Sequence, residues 1–155
     1  MDSQFLYAYV SGSTKDNEKT IADEVRAVIH NRNTGIQIVI PFVVIGEAVN
    51  KIKMKLNPDC QEKAFQNLSL ILDENRVDTK PPIIAVFSMA LELMNKDREL
   101  KGTDALILSQ ALCDKTATHL LSGDTVLLNS QVINQKCKEW RTEEGYRNLI
   151  IRDSF

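Results

Sequence analysis

The sequence predicts an α/β protein built around a parallel sheet. Three observations carry this. Short β-branched runs alternate with apolar residues at helical spacing. Glycine, proline, asparagine and aspartate punctuate the joins. A chain of 155 residues, 43% apolar, is long enough to bury one core without covalent staples. Strands that alternate with helices imply right-handed crossovers and a sheet covered on both faces.

The elements follow in order. Ile21, Val25, Val28 and Ile29 mark one face of a helix. Ile36 to Ile40, entered through Thr34-Gly35, reads as a buried strand, and Pro41 suits the first turn of the next helix. There Ile45, Ala48, Val49 and Ile52 form a stripe that Asn57-Pro58 ends. Phe65, Leu68 and Leu72 line another helix, capped by Asn57 or Asp59, and Lys80-Pro81-Pro82 is a breaker. Val86, Met89, Ala90 and Leu93 mark the next helix. Thr103 is the expected N-cap of a helix carrying Ala105, Leu108 and Leu112. Thr116 to Leu121 is a second strand, closed by Ser122-Gly123-Asp124. Leu149 to Ile151 is a third, and Thr125 to Trp140 carries no clear period. No internal repeat appears, so one domain spanning 1–155 is expected.

Composition excludes several classes. Nineteen basic against 21 acidic residues give a net charge of -2, so no global basic field gathers nucleic acid. The three cysteines, Cys60, Cys113 and Cys137, form no CxxC pair; they point to reduced thiols in a cytoplasmic protein. The longest apolar run, Val39 to Ile45, is too short to span a bilayer, and no signal-peptide pattern opens the chain.

Ligands of parallel sheets bind beyond the carboxyl ends of the strands. Four acids fall near such ends or at the helix starts that follow: Asp2, Glu47, Asp104 and Asp124. Two unit charges about 4 Å apart repel by about 4 kcal/mol at an effective dielectric near 20. Gathered acids therefore call for a counter-charge, and a hard divalent cation with oxygen ligands supplies it best.

The stretches around these acids resemble the motifs of one family. Asp2-Ser3-Gln4-Phe5-Leu6-Tyr7-Ala8-Tyr9 looks like the opening motif of PIN domains. Ile38-Val39-Ile40-Pro41-Phe42-Val43-Val44-Ile45-Gly46-Glu47 resembles the second, Gly102-Thr103-Asp104-Ala105-Leu106-Ile107-Leu108 the third, and His119-Leu120-Leu121-Ser122-Gly123-Asp124 the fourth. The resemblance implies a three-layer α/β/α sandwich with a central parallel sheet. It also implies a Mg²⁺- or Mn²⁺-dependent ribonuclease, with Asp2, Glu47, Asp104 and Asp124 as metal ligands and Ser122 in support. Lys51 and Lys55 would then meet RNA phosphates. Small stand-alone members are often VapC-type toxins, which implies an antitoxin partner and a homodimer. Family members usually carry a strand before the first acid, whereas only Met1 precedes Asp2 here; a native start upstream of Met1 is the expectation, with a shortened strand or a different N-terminal arrangement as the alternatives.

Each residue also has a plainer reading. Asp104 suits a helix N-terminus through the macrodipole. Glu47, Lys51 and Lys55 are spaced as a surface ion-pair ladder. Asp124 and Ser122 suit a turn. His30 suits a helix C-terminus; His119 suits a hydrogen-bonded strand position, and Cys113 a buried thiol rather than a nucleophile paired with His119. Lys136, Lys138, Arg141 and Arg147 form a modest basic cluster. Two other function classes stay open. One is a PIN-like scaffold that binds RNA or protein without cleaving. The other is a receiver-like phosphate domain, weakened by the lack of a lysine-bearing late strand and a glycine-rich phosphate loop.

Overall fold

A computed structural model of the chain describes residues 1–12, 15–30 and 35–154. Its contacts divide into two compact units, one built on Met1–Lys80 and one on Pro81–Asp153. The structure is of the α/β class and mostly helical.

The first unit is organised by α1 (Ser3–Ser11), which packs on α2 (Asp16–His30), α3 (Phe42–Lys55) and α4 (Pro58–Leu72). Phe5, Leu6, Tyr7, Ala8 and Val10 are all buried, while Gln4 is exposed and Tyr9 and Ser11 are half-buried. A helix that buries most of its circumference belongs inside a core. Gly12, at φ +61°, ends it in the left-handed region, and Asn67 Nδ2 donates to the Val10 carbonyl at 3.1 Å. In α3 the buried positions are Val44, Ala48 and Ile52, a strict i, i+4, i+8 stripe; Ile45 and Val49 flank it half-buried. Asn57 caps α4 by accepting from the Cys60 amide at 2.9 Å, with Pro58 at the first helical position.

Strand β1 (Ile38–Pro41) pairs in parallel with β2 (Val77–Lys80), Ile38 opposite Val77 and Pro41 opposite Lys80. The strand begins two residues later than the sequence indicated, and Thr34 lies outside the described residues. Pro41 is not in the first helical turn. It ends β1 and is the N-cap of α3, with ψ 145°. The sequence reading missed β2, because Val77-Asp78-Thr79-Lys80 has only one strongly apolar residue and all four positions are half-buried.

In the second unit α5 (Ile84–Lys96) packs on α6 (Gly102–Cys113), burying Val86, Met89, Ala90 and Leu93. Lys101, not Thr103, is the N-cap of α6, and no side chain caps that end. Strand β3 (His119–Leu121) pairs in parallel with β4 (Ile150–Arg152). Between them lie α7 (Thr125–Asn129) and α8 (Gln131–Glu143), in the segment without clear sequence period. Among the described residues the strands form two two-stranded parallel ladders, one in each unit, which do not by themselves show the expected three-layer sandwich with a central sheet. Proline at Pro41 and Pro81-Pro82 limits the first ladder, because proline donates no backbone bond.

Arg141 of α8 is fully buried. Its Nη1 donates to the carbonyls of Leu112 at 3.1 Å, Asp114 at 2.8 Å and Ala111 at 3.4 Å. Nη2 donates to Ala117, and Nε to Arg147 at 2.6 Å. The guanidinium thus caps the C-terminus of α6, where orphan carbonyls and the helix dipole both favour a cation. This removes Arg141 from the surface cluster. Lys136 leaves it too, pairing with Glu92 at 2.7 Å.

Candidate active site

The candidate acids divide evenly between the units: Asp2 and Glu47 in the first, Asp104 and Asp124 in the second.

Asp2 is buried and caps α1. Its Oδ1 accepts from the amides of Gln4 at 3.0 Å and Phe5 at 3.5 Å. The amine of Met1 donates to the Val39 carbonyl at 3.3 Å, which sets Asp2 beside β1. Burial lowers that amine's pKa to about 6, partly opposed by the Asp2 carboxylate.

Glu47 lies half-exposed on α3, one turn before Lys51. Lys51 Nζ donates to the Ser3 hydroxyl at 2.7 Å. The bond brings α3 to the capped start of α1, so Asp2, Ser3 and Lys51 are neighbours, with Glu47 one turn along the same helix face. Lys55 sits over the Tyr7 ring, 5.4 Å from its centroid. The Glu47–Lys51–Lys55 ladder is therefore not formed, because each lysine has a partner on α1. Burial raises the Tyr7 pKa, with a further rise from Glu18. Sequence reading missed Ser3 as the partner of Lys51. The Asp-Ser pair before an apolar run was a readable helix-start signal.

In the second unit Asp104 is the third residue of α6 and half-buried. Asp124 caps α7, its Oδ1 accepting from Val126 at 2.9 Å and Leu127 at 3.0 Å. Ser122 is fully buried, and its hydroxyl accepts from the Asp124 amide at 3.1 Å. Ser122 follows β3 directly, and its own amide donates to the Arg152 carbonyl at 3.0 Å. The strand end therefore fixes the serine, and the serine helps fix the acid.

His119 is exposed at the start of β3, with Nδ1 3.0 Å from the Thr118 hydroxyl. Cys113 is half-buried at the end of α6, and burial raises its thiol pKa, which weakens a nucleophilic role.

Carboxylates with a hydroxyl are a hard oxygen donor set, the chemistry that magnesium and manganese take. Each unit holds two of the four acids. Among the described residues, no group of three or more His, Cys, Asp or Glu side chains stands close enough to hold a metal. Oδ1 of both Asp2 and Asp124 is already committed to helix capping.

These features define a class: an α/β protein with acids at helix starts and beside short parallel ladders. The family follows from comparison. Residues 1–129 match the PIN domain, and the chain belongs to that family, whose members are typically nucleases. The matched stretch contains Asp2, Glu47, Asp104, Ser122 and Asp124, runs through residues of both units and ends at the last residue of α7. No curated protein and no solved structure matches the chain. Among the described residues, no helix is long and apolar enough to cross a membrane.

Proposed function

We propose that this protein is a divalent-metal-dependent ribonuclease that hydrolyses phosphodiester bonds in RNA. The observation carrying the reading is the family match, which contains all four acids and Ser122 in one stretch. Asp2, Glu47, Asp104 and Asp124 are the residues to hold Mg²⁺ or Mn²⁺. When bound, the cation neutralises phosphate charge and polarises the scissile phosphoryl group. The chain's own groups position these acids. Ser122 holds the Asp124 amide, while the Gln4 and Phe5 amides hold Oδ1 of Asp2. Lys51 lies next to Asp2 through Ser3, a placement suited to an RNA phosphate.

Family membership also supports a three-layer α/β/α arrangement with a central sheet. The toxin reading, with an antitoxin partner and a homodimer, rests on the motif resemblance. A cytoplasmic setting rests on three free cysteines.

The test is cleavage of single-stranded RNA with Mg²⁺ or Mn²⁺, with and without EDTA. Cleavage abolished by EDTA and by Asp104→Asn supports the reading. Cleavage indifferent to both refutes it. The commitment of Oδ1 of Asp2 and of Asp124 to helix capping favours a second reading, a PIN-like scaffold that binds RNA or protein without cutting. RNA retention without cleavage at any metal concentration supports that one.

A further inference from the structure

The turn after α6 and the segment after α8 enclose a cleft of about 550 Å³, lined by Lys115, Thr116, Glu144, Gly145, Tyr146 and Arg147. Its volume lies within the roughly 300–1,000 Å³ of small-molecule sites. Both rims are anchored by Arg141, which donates to the carbonyls of Asp114 and Ala117 on one side and Arg147 on the other. The first rim is tightened further, since Asp114 Oδ1 accepts from the Thr116 amide at 2.9 Å and its hydroxyl at 2.7 Å. The second is held where the Tyr146 amide donates to the Arg141 carbonyl at 2.8 Å. The Tyr146 ring is braced edge-on by Trp140, at 5.7 Å between centroids, and by the Arg141 guanidinium at 5.2 Å.

A fixed aromatic wall, two cations and one acid thus share a cleft. Among the described residues, the Lys115 and Arg147 side chains make no ion pair or hydrogen bond. We propose that this cleft binds a ribonucleotide, its phosphate on Lys115 and Arg147, its base on Tyr146 and a ribose hydroxyl donating to Glu144. Bases stack on aromatic side chains, and the 2′-hydroxyl distinguishes RNA from DNA. Glu144 argues against a plain phosphate site, because a carboxylate repels phosphate but accepts from a sugar hydroxyl. The proposal does not rest on the nuclease reading: residues 144–147 lie outside the stretch that matches the family. A free nucleotide and one nucleotide unit of an RNA strand present the same chemistry.

The test is titration calorimetry of the full chain in EDTA with AMP, dAMP, inorganic phosphate and a short oligoadenylate. Fluorescence of Trp140, the single tryptophan, is the second readout. AMP or the oligonucleotide should bind. Paired Lys115→Ala and Arg147→Ala substitutions should weaken binding by about tenfold or more and lower its salt dependence. Tyr146→Leu should weaken it as well, and Glu144→Gln should erase any preference for AMP over dAMP. Binding of AMP assigns a free nucleotide; binding of the oligonucleotide alone assigns an RNA strand. Both support the proposal. No binding of either, binding unchanged in the paired variant, or phosphate bound as tightly as AMP would overturn it. Asp104→Asn should leave this binding intact while removing cleavage, which separates the two readings.

Discussion

Lys51 of α3 donates to the hydroxyl of Ser3 at the start of α1, 2.7 Å away and 48 positions earlier in the chain. On an isolated helix Lys51 would pair with Glu47 one turn before it. The tertiary bond wins because it is partly buried, and charge-assisted bonds strengthen as water is excluded. A double-mutant cycle of Ser3→Ala and Lys51→Met, followed by urea denaturation, should give a coupling of about 1–2 kcal/mol. Additive single effects would show that the bond does not hold in solution.

Asp124 caps a helix and is also a proposed metal ligand, and two substitutions separate the roles. Asparagine caps about as well as aspartate, whereas alanine does not. Asp124→Asn should therefore leave stability within about 0.5 kcal/mol and Asp124→Ala should cost about 1 kcal/mol. Both should lose RNA cleavage. Full cleavage by Asp124→Asn would remove the carboxylate from the proposed chemistry.

Arg141 should be the most sensitive position in the second unit. Replacing it with methionine strands five carbonyls that now accept from it. A loss of about 3 kcal/mol or more is expected in thermal or urea unfolding. Arg141→Lys should recover little, because an ammonium cannot reproduce the planar fork.

The three thiols should react in order of exposure. Cys60 is exposed, Cys113 half-buried and Cys137 buried. At mildly alkaline pH a disulfide reagent should modify Cys60 within the first phase and Cys137 only on unfolding. Burial pushes the Cys137 thiol up to about 12. A pKa raised in the folded state means that the unfolded chain ionises first. The contribution of Cys137 to stability is complete below the ordinary thiol pKa and is lost as pH rises toward 12. Cys137→Ala should flatten that alkaline fall in melting temperature.

Ser109 in α6 is fully buried and its hydroxyl has no hydrogen-bond partner among the described residues. Ser109→Ala removes the unsatisfied group and improves helix propensity, so stability should rise by about 0.5–1 kcal/mol. A loss measured by urea denaturation would show that a solvent molecule satisfies it.

Much of this was legible in the chain. The helix of Val86–Leu93 follows from a period near 3.6, which records burial on one face; the same spacing finds Ala105–Leu112, although that helix also buries Ile107, Ser109 and Gln110. The cap of α4 was narrowed to Asn57 or Asp59, and the structure takes Asn57. The candidate acids were legible by their motifs, and the family match contains all of them. Less was legible where local rules give no preference. Strand β2 has almost no apolar signal. Arg141 looks like any surface arginine, because nothing nearby in sequence announces the carbonyls of Ala111 and Ala117.

The sequence by itself determined the α/β class, helices α2 to α6 and the choice of candidate acids, because periodicity, capping and motif order are properties of neighbours along the chain. Only the tertiary structure decided which partners those residues take. It sent Lys51 to Ser3 rather than to Glu47, set Lys55 over Tyr7, and buried Arg141 under two turns whose outer faces line a cleft. Among the described residues it also showed one short parallel ladder in each unit. The reason is physical: a bond between groups tens of residues apart depends on packing that no local pattern encodes.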